Sequence, residues 1–161
     1  MPQVLLARDA APSPTTELVD ALHDATQAVL ARLAPELEAE GLTHCKFWTL
    51  YRLAAGGADH PKAIADRLAV TMPSVTASVD QLVGDGLVER RRSETDRRVV
   101  VLEITPKGRQ VLSDVLRRFE GTMGSALRSL PRGQAHAAAR TLAELADRLR
   151  SRDLRATGSV A

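Results

Sequence analysis

The chain has 161 residues, 44% of them apolar and 26% charged, the balance of one globular domain or of one domain with a dimerisation extension. Only 2% are aromatic, so the core must come from Leu, Val, Ala and Ile, which suits helix-on-helix packing and points to a mainly α fold. The net charge of +2 says little about a nucleic-acid partner, but its distribution says more. Residues 1–60 carry four basic and eight acidic side chains, residues 61–109 nine and seven, and residues 110–161 nine and five. Five arginines fall between Arg90 and Arg98. The single cysteine, Cys45, excludes an internal disulfide framework and fits a reducing compartment. The apolar run Val4–Ala7 is too short for the core of a signal peptide, and no segment has the length of a membrane span. The expected location is cytoplasmic, with no membrane partner.

Residues 1–14 hold three prolines without periodicity and read as a loose arm, as do residues 153–161 at the far end. A first helix, within 15–40, is expected to start at Thr15 or Thr16, with Thr16 as cap and Glu17 and Asp20 behind it. Leu18, Leu22, Val29 and Leu33 form one stripe, and Pro35 is expected to bend or end the helix. Thr43 caps a second helix from His44 to about Ala55, closed by Gly56 and Gly57. A third runs for about nine residues from Pro61, with Ile64, Ala65 and Leu68 inward. Thr71 caps a fourth, in which Val75, Val79, Leu82 and Val83 make the buried stripe before Gly84 and Gly86.

Leu87-Val88 and Val99–Ile104 have strand composition, and the polar residues 93–96 between them make the turn of a hairpin with a basic tip. Thr105-Pro106 opens a long helix with Val111, Leu112, Val115, Leu116 and Phe119 spaced for burial, weakened at its far end by Gly121 and Gly124. Pro131 is expected to start a last helix, with Ala135, Ala138, Leu142, Leu145 and Leu149 as a seam.

Two short helices followed by a hairpin form the winged version of the helix-turn-helix. The B-DNA major groove admits one α-helix, which a preceding helix braces across the backbone. The outer face of the fourth helix offers Ser74, Thr76, Ala77, Ser78 and Gln81, short or polar groups suited to base edges and thymine methyls. The hairpin adds Arg90, Arg92, Arg97 and Arg98 as wing contacts, with Asp96 placed to orient an arginine toward the narrow minor groove.

Taken in order, several segments carry a resemblance: Gly41-Leu42-Thr43 with Phe47 and Leu50, Ile64–Leu68, Ser74-Val75-Thr76 with Val79-Asp80 and Leu82, Asp85–Val88 with Arg90, Asp96-Arg97-Arg98, and Ile104–Gly108. The chain resembles the multiple-antibiotic-resistance regulator (MarR) family of winged-helix repressors. The resemblance covers about residues 15–150, with its most specific part between 61 and 108. It implies a homodimer interlocked through the first and last two helices, so that 15–40 and 109–152 are dimerisation segments and 41–108 is the DNA-binding region. It implies a pseudo-palindromic double-stranded DNA operator, Asp96 and Arg98 as orienting acid and minor-groove arginine, and release by a small anionic or phenolic ligand or by an oxidant. Two positions depart from the pattern: Ala77 stands where relatives often have Arg or Lys, and Lys46 where Gln is common.

Other residues leave two readings open. Trp48 and Tyr51 beside Phe47 suit core or dimer packing, or else, with His44 and Arg52, a ligand pocket between the second helix and the dimerisation helices. Cys45, at a helix start, is a candidate redox switch, without a resolving partner in the chain. His44, His23, His60 and His136 match no compact zinc spacing, and neither a metal nor a cofactor is expected. There is no phosphate loop, nucleophile elbow or acid–base cluster, so no catalytic residue is assigned and an enzyme is not expected. The remaining alternative is a winged helix used for protein or RNA contacts.

Overall fold

A computed structural model describes residues 13–56, 60–92 and 100–150, the side chain of Arg150 excepted. The arm up to residue 12, the hairpin turn with Asp96, Arg97 and Arg98, and the tail from 151 lie outside the described residues. The elements are α1 (Pro14–Glu38), α2 (His44–Ala54), α3 (Pro61–Leu68), α4 (Met72–Gly84), β1 (Val88–Arg92), β2 (Val100–Ile104), α5 (Pro106–Arg128) and α6 (Gln134–Arg150). This is a mainly helical winged helix-turn-helix, as composition and periodicity predict. The chain forms two compact units that meet within α5, one up to Phe119 and one from Glu120 onward.

Local chemistry explains most of the helix starts. Thr43 and Thr71 accept the backbone N–H of Lys46 and Ser74, so both predicted caps are in place. His60 caps α3 in the same way through its side chain. The start of α1 differs from expectation: Ser13 caps it, accepting from the N–H of Thr16, and Pro14 takes the first helical position, where its missing N–H costs nothing. Pro35 does not end this helix. It sits inside it at the loss of one backbone bond, and the pattern resumes as the Ala39 N–H donates to the Pro35 carbonyl. Pro131 does not start α6 either; a turn through Gly133, at φ +84°, intervenes before Gln134.

The core of the first unit is built around Leu50, Ile64, Val75, Val79, Leu82 and Val115, none of which reaches solvent. α2 and α3 pack on the α4 stripe, and α5 closes the core with Leu112 and Val115. β1 and β2 pair antiparallel, Val88 opposite Ile104 and Arg92 opposite Val100, with only Val88, Leu102 and Ile104 turned into the core.

The junction between wing and α5 gives the segment from Ile104 to Gly108 its purpose. The Thr105 hydroxyl donates to the Gly86 carbonyl and accepts from the Gly108 N–H, while the Thr105 N–H donates to the Leu87 carbonyl. Lys107 Nζ donates to the Asp85 carbonyl at 2.8 Å. Gly108 is buried with its Cα against Leu87: a Cβ there would stand 2.1 Å from the Leu87 carbonyl oxygen. The turn after α4 and the start of α5 are thus clasped together.

The apolar stripe of α1 is buried only at its C-terminal end. Leu33 and Leu37 are in the core, Leu22 and Val29 are half-buried, and Leu18 and Val19 are exposed. In the second unit, α6 buries no side chain among its described residues; Ala135 and Leu145 of its seam are half-buried, whereas Ala138, Leu142 and Leu149 are exposed. No helix among the described residues is long and apolar enough to cross a membrane.

Candidate nucleic-acid interface and an adjoining cavity

The surface of α4 follows from its buried stripe. Val75, Val79 and Leu82 face the core, which leaves Ser74, Thr76, Ala77 and Gln81 exposed. Ser74 is not wholly free, since its hydroxyl lies 2.9 Å from that of the Thr71 cap. Ser78 does not belong to the outer face: it is buried, with 9% exposure. The reason is periodicity, because position 78 is three residues after Val75 and four before Leu82, on the same side of the helix.

Two ion pairs hold α4 in place. Arg90 of β1 reaches back to Asp80 of α4, so this wing arginine ties strand to helix. Arg91 pairs across the sheet with Glu103 at 3.0 Å, while Arg92 has no acidic partner among the described residues. The predicted wing residues Asp96, Arg97 and Arg98 fall in the undescribed segment. Five residues after Asp80, just past the last turn of α4, Lys46 of α2 lies 3.2 Å from Asp85, the C-capping residue. The Lys46 side chain is buried, whereas Asp85 is half-exposed.

This pair is asymmetric. Asp85→Ala strands a buried ammonium and is expected to cost about 1–3 kcal/mol, while Lys46→Met keeps the apolar stem and is expected to cost under about 1 kcal/mol. Urea unfolding of both variants checks the difference; equal losses would mean that the charge is not what matters. Sequence reasoning missed both ion pairs, and the only signal of the second was the lysine at position 46 where glutamine is common.

A further pair of contacts braces α5 against α1. Arg118 donates to Glu36 at 2.9 Å and to Glu40 at 2.8 Å. The hydrogen bond to Glu40, ahead of the one to Glu36, raises the Arg118 pKa above its ordinary value.

The aromatic residues of α2 divide by depth. Phe47 is buried, Trp48 half-buried and Tyr51 exposed, with the Trp48 ring edge-on to both neighbours at centroid distances of 5.2 and 5.4 Å. Trp48 Nε1 donates to His44 Nε2 at 2.8 Å, which fixes the indole orientation. His44, Trp48 and Arg52 line a cavity of about 240 Å³, as the sequence grouping predicts, but Tyr51 does not. The opposite wall is also different from expectation: it comes from Arg67, Leu68 and Val70, at the end of α3, and Cys45 completes the lining. Arg52 Nε is shut off from water without an acceptor, a state that costs about 1–3 kcal/mol. A second, larger groove of about 560 Å³ runs between α1 and the start of α2, lined mainly by Leu30, Leu33, Leu37 and Leu42.

Comparison with known proteins agrees with this architecture. Residues 40–99, from just after α1 to just before β2, match the profile of the MarR family. Over these residues the chain is similar to the winged helix-turn-helix of the MarR family. Among curated proteins, the HTH-type transcriptional regulator MhqR of Bacillus subtilis (strain 168) is 31% identical over 94 residues, 58% of this chain and 65% of that protein. The transcriptional repressor MprA of Escherichia coli (strain K12) is 32% identical over 82 residues, 50% of this chain and 47% of that protein. The matched region thus spans from about half to just under two thirds of these relatives. The solved structure of the transcriptional regulator BldR from Sulfolobus solfataricus superposes with a TM-score of 0.71 at 27% identity, over 82% of this chain and 94% of that one. The match covers α2, α3, α4 and β1, and so includes the exposed face of α4.

Proposed function

We propose that the chain is a dimeric, sequence-specific DNA-binding transcriptional regulator of the repressor type, released by a small ligand. One observation carries the reading: α4 is held by a buried stripe, braced by α3 and pinned along its C-terminal half by two ion pairs, with Ser74, Thr76, Ala77 and Gln81 exposed together. Such a helix enters the major groove with its polar face toward the bases. The wing follows, with Arg92, Arg97 and Arg98 serving phosphates and the minor groove and Asp96 orienting Arg98. Arg90 acts by holding the wing to α4. Residues 41–108 make up the DNA-binding region on this reading.

Dimerisation rests on the apolar stripes that the single chain leaves open. Leu18 and Val19 of α1 and Leu142 and Leu149 of α6 are exposed, and an amphipathic helix that buries no face needs a partner. Two copies then present two α4 helices to the half-sites of a pseudo-palindromic operator.

The test is binding of the full chain to duplexes selected from a random-sequence pool. A two-half-site duplex should bind more tightly than a single half-site, and affinity should fall steeply with salt as phosphate contacts displace counterions. Arg98→Ala should lower operator affinity by roughly tenfold or more without changing the fold. Failure to select any duplex, or a flat salt response, would overturn the DNA-binding reading, and an unchanged Arg98→Ala would remove the minor-groove part of it.

A further inference from the structure

The exposed face of α4 carries no cation. The helix, Met72–Gly84, holds neither Arg nor Lys, and its one charged side chain is Asp80. Arg90 of β1 donates to that carboxylate, which neutralises its charge and turns it toward the wing strand rather than toward a cytosine amino group. Ser74 spends one of its hydrogen bonds on the Thr71 cap. What remains is a stripe of short apolar groups that ends in one amide. Pro73, Ala77 and Gln81 follow at four-residue steps, so they share a face of the helix, and all three are exposed. The Gln81 amide has no hydrogen-bond partner among the described residues.

Base edges in the major groove answer to different side chains. Guanine presents two acceptors and takes paired donors from Arg or Lys. Adenine presents N7 and the N6 amino group and takes the donor and acceptor of an Asn or Gln amide. Thymine is recognised by apolar contact at its C5 methyl. α4 has the second and third kinds of reader and lacks the first.

We propose that α4 selects A·T base pairs, with Gln81 bonded to adenine N7 and N6 and Ala77 packed on a thymine methyl. This deepens the proposed function and rests on it, because it takes α4 to lie in the major groove. Ala77 and Gln81 are about 6 Å apart along the helix axis, close to the rise of two base pairs. The two contacts therefore fall on neighbouring pairs of one half-site. The methyl side chain at 77 also lets α4 approach closely enough for the Gln81 amide to reach a base edge.

The test uses duplexes that the full chain selects from a random-sequence pool, remade with altered bases. Uracil in place of thymine removes only the methyl, and 7-deazaadenine in place of adenine removes only N7. Within each half-site, uracil at one thymine should weaken binding of the unaltered chain by about threefold or more. A neighbouring 7-deazaadenine should weaken it by about fivefold or more. Gln81→Ala should lose the second sensitivity and keep the first, and Ala77→Gly should do the reverse. Both residues are exposed, so circular dichroism should stay unchanged. Gln81→Glu should move the preferred base at its position from adenine to cytosine, whose amino group a carboxylate accepts.

Indifference of the unaltered chain to either analogue throughout both half-sites would overturn the proposal, whatever becomes of the variants. So would a folded Gln81→Ala chain that keeps its sensitivity to 7-deazaadenine. Failure to select any duplex overturns the proposed function and this inference with it. A selected duplex without these sensitivities overturns this inference alone.

Discussion

Gly108→Ala is expected to destabilise the first unit by about 3 kcal/mol, a large share of what a small domain possesses. The added Cβ would stand 2.1 Å from the Leu87 carbonyl oxygen and 2.9 Å from Ile104 Cγ1. Neither neighbour yields easily. The Leu87 carbonyl already accepts the Thr105 N–H at 3.1 Å, and Ile104 is buried in the core opposite Val88. Relieving the overlap therefore means opening the clasp between the turn after α4 and the start of α5. Urea unfolding measures the effect as a lower midpoint at an unchanged slope. Gly84→Ala is the control: nothing lies within 4 Å of its added Cβ, and alanine is the better helix former, so stability should hold or rise slightly. A Gly108→Ala chain as stable as the unaltered one would show that the helix can be displaced without penalty.

The second large effect is expected on the surface. Ala77→Glu should reduce affinity for a selected operator by roughly a hundredfold or more, because it sets a carboxylate against the phosphates and base edges at the centre of the interface. Residue 77 is exposed on α4 and alanine and glutamate are both good helix formers, so unfolding midpoints should stay close. The reverse charge is equally informative. Ala77→Arg, the residue type common at this place in the sequences that the chain resembles, should tighten binding and change the preferred bases. If Ala77→Glu binds normally, α4 is not the reading helix.

These two residues illustrate different degrees of legibility. The exposure of position 77 is visible in the spacing of Val75, Val79 and Leu82, since helical periodicity is a local property. The same reasoning misplaced Ser78, whose hydroxyl suggested the surface although its position on the helix belongs to the buried side. Gly108 was visible only as the end of a motif; that it must lack a Cβ depends on Leu87, 21 residues earlier in the chain.

The same division runs through the site. His44, Trp48 and Arg52 stand four residues apart, so a shared helix face could be read directly. The other wall, Arg67 to Val70, could not, because the contact between α2 and α3 is set by core packing. Tyr51 was grouped with them by residue type, yet it faces solvent away from the cavity lining.

The winged helix-turn-helix between Pro61 and Gly108 was therefore legible from sequence in its order of elements, its threonine caps and its buried stripe, all of which arise from interactions within a few residues. Tertiary structure alone decided what holds that unit together: Lys46 with Asp85, Arg90 with Asp80, and Gly108 against Leu87. Each joins residues at least ten positions apart, and pairings at that range are selected by how whole helices pack, which no local periodicity encodes.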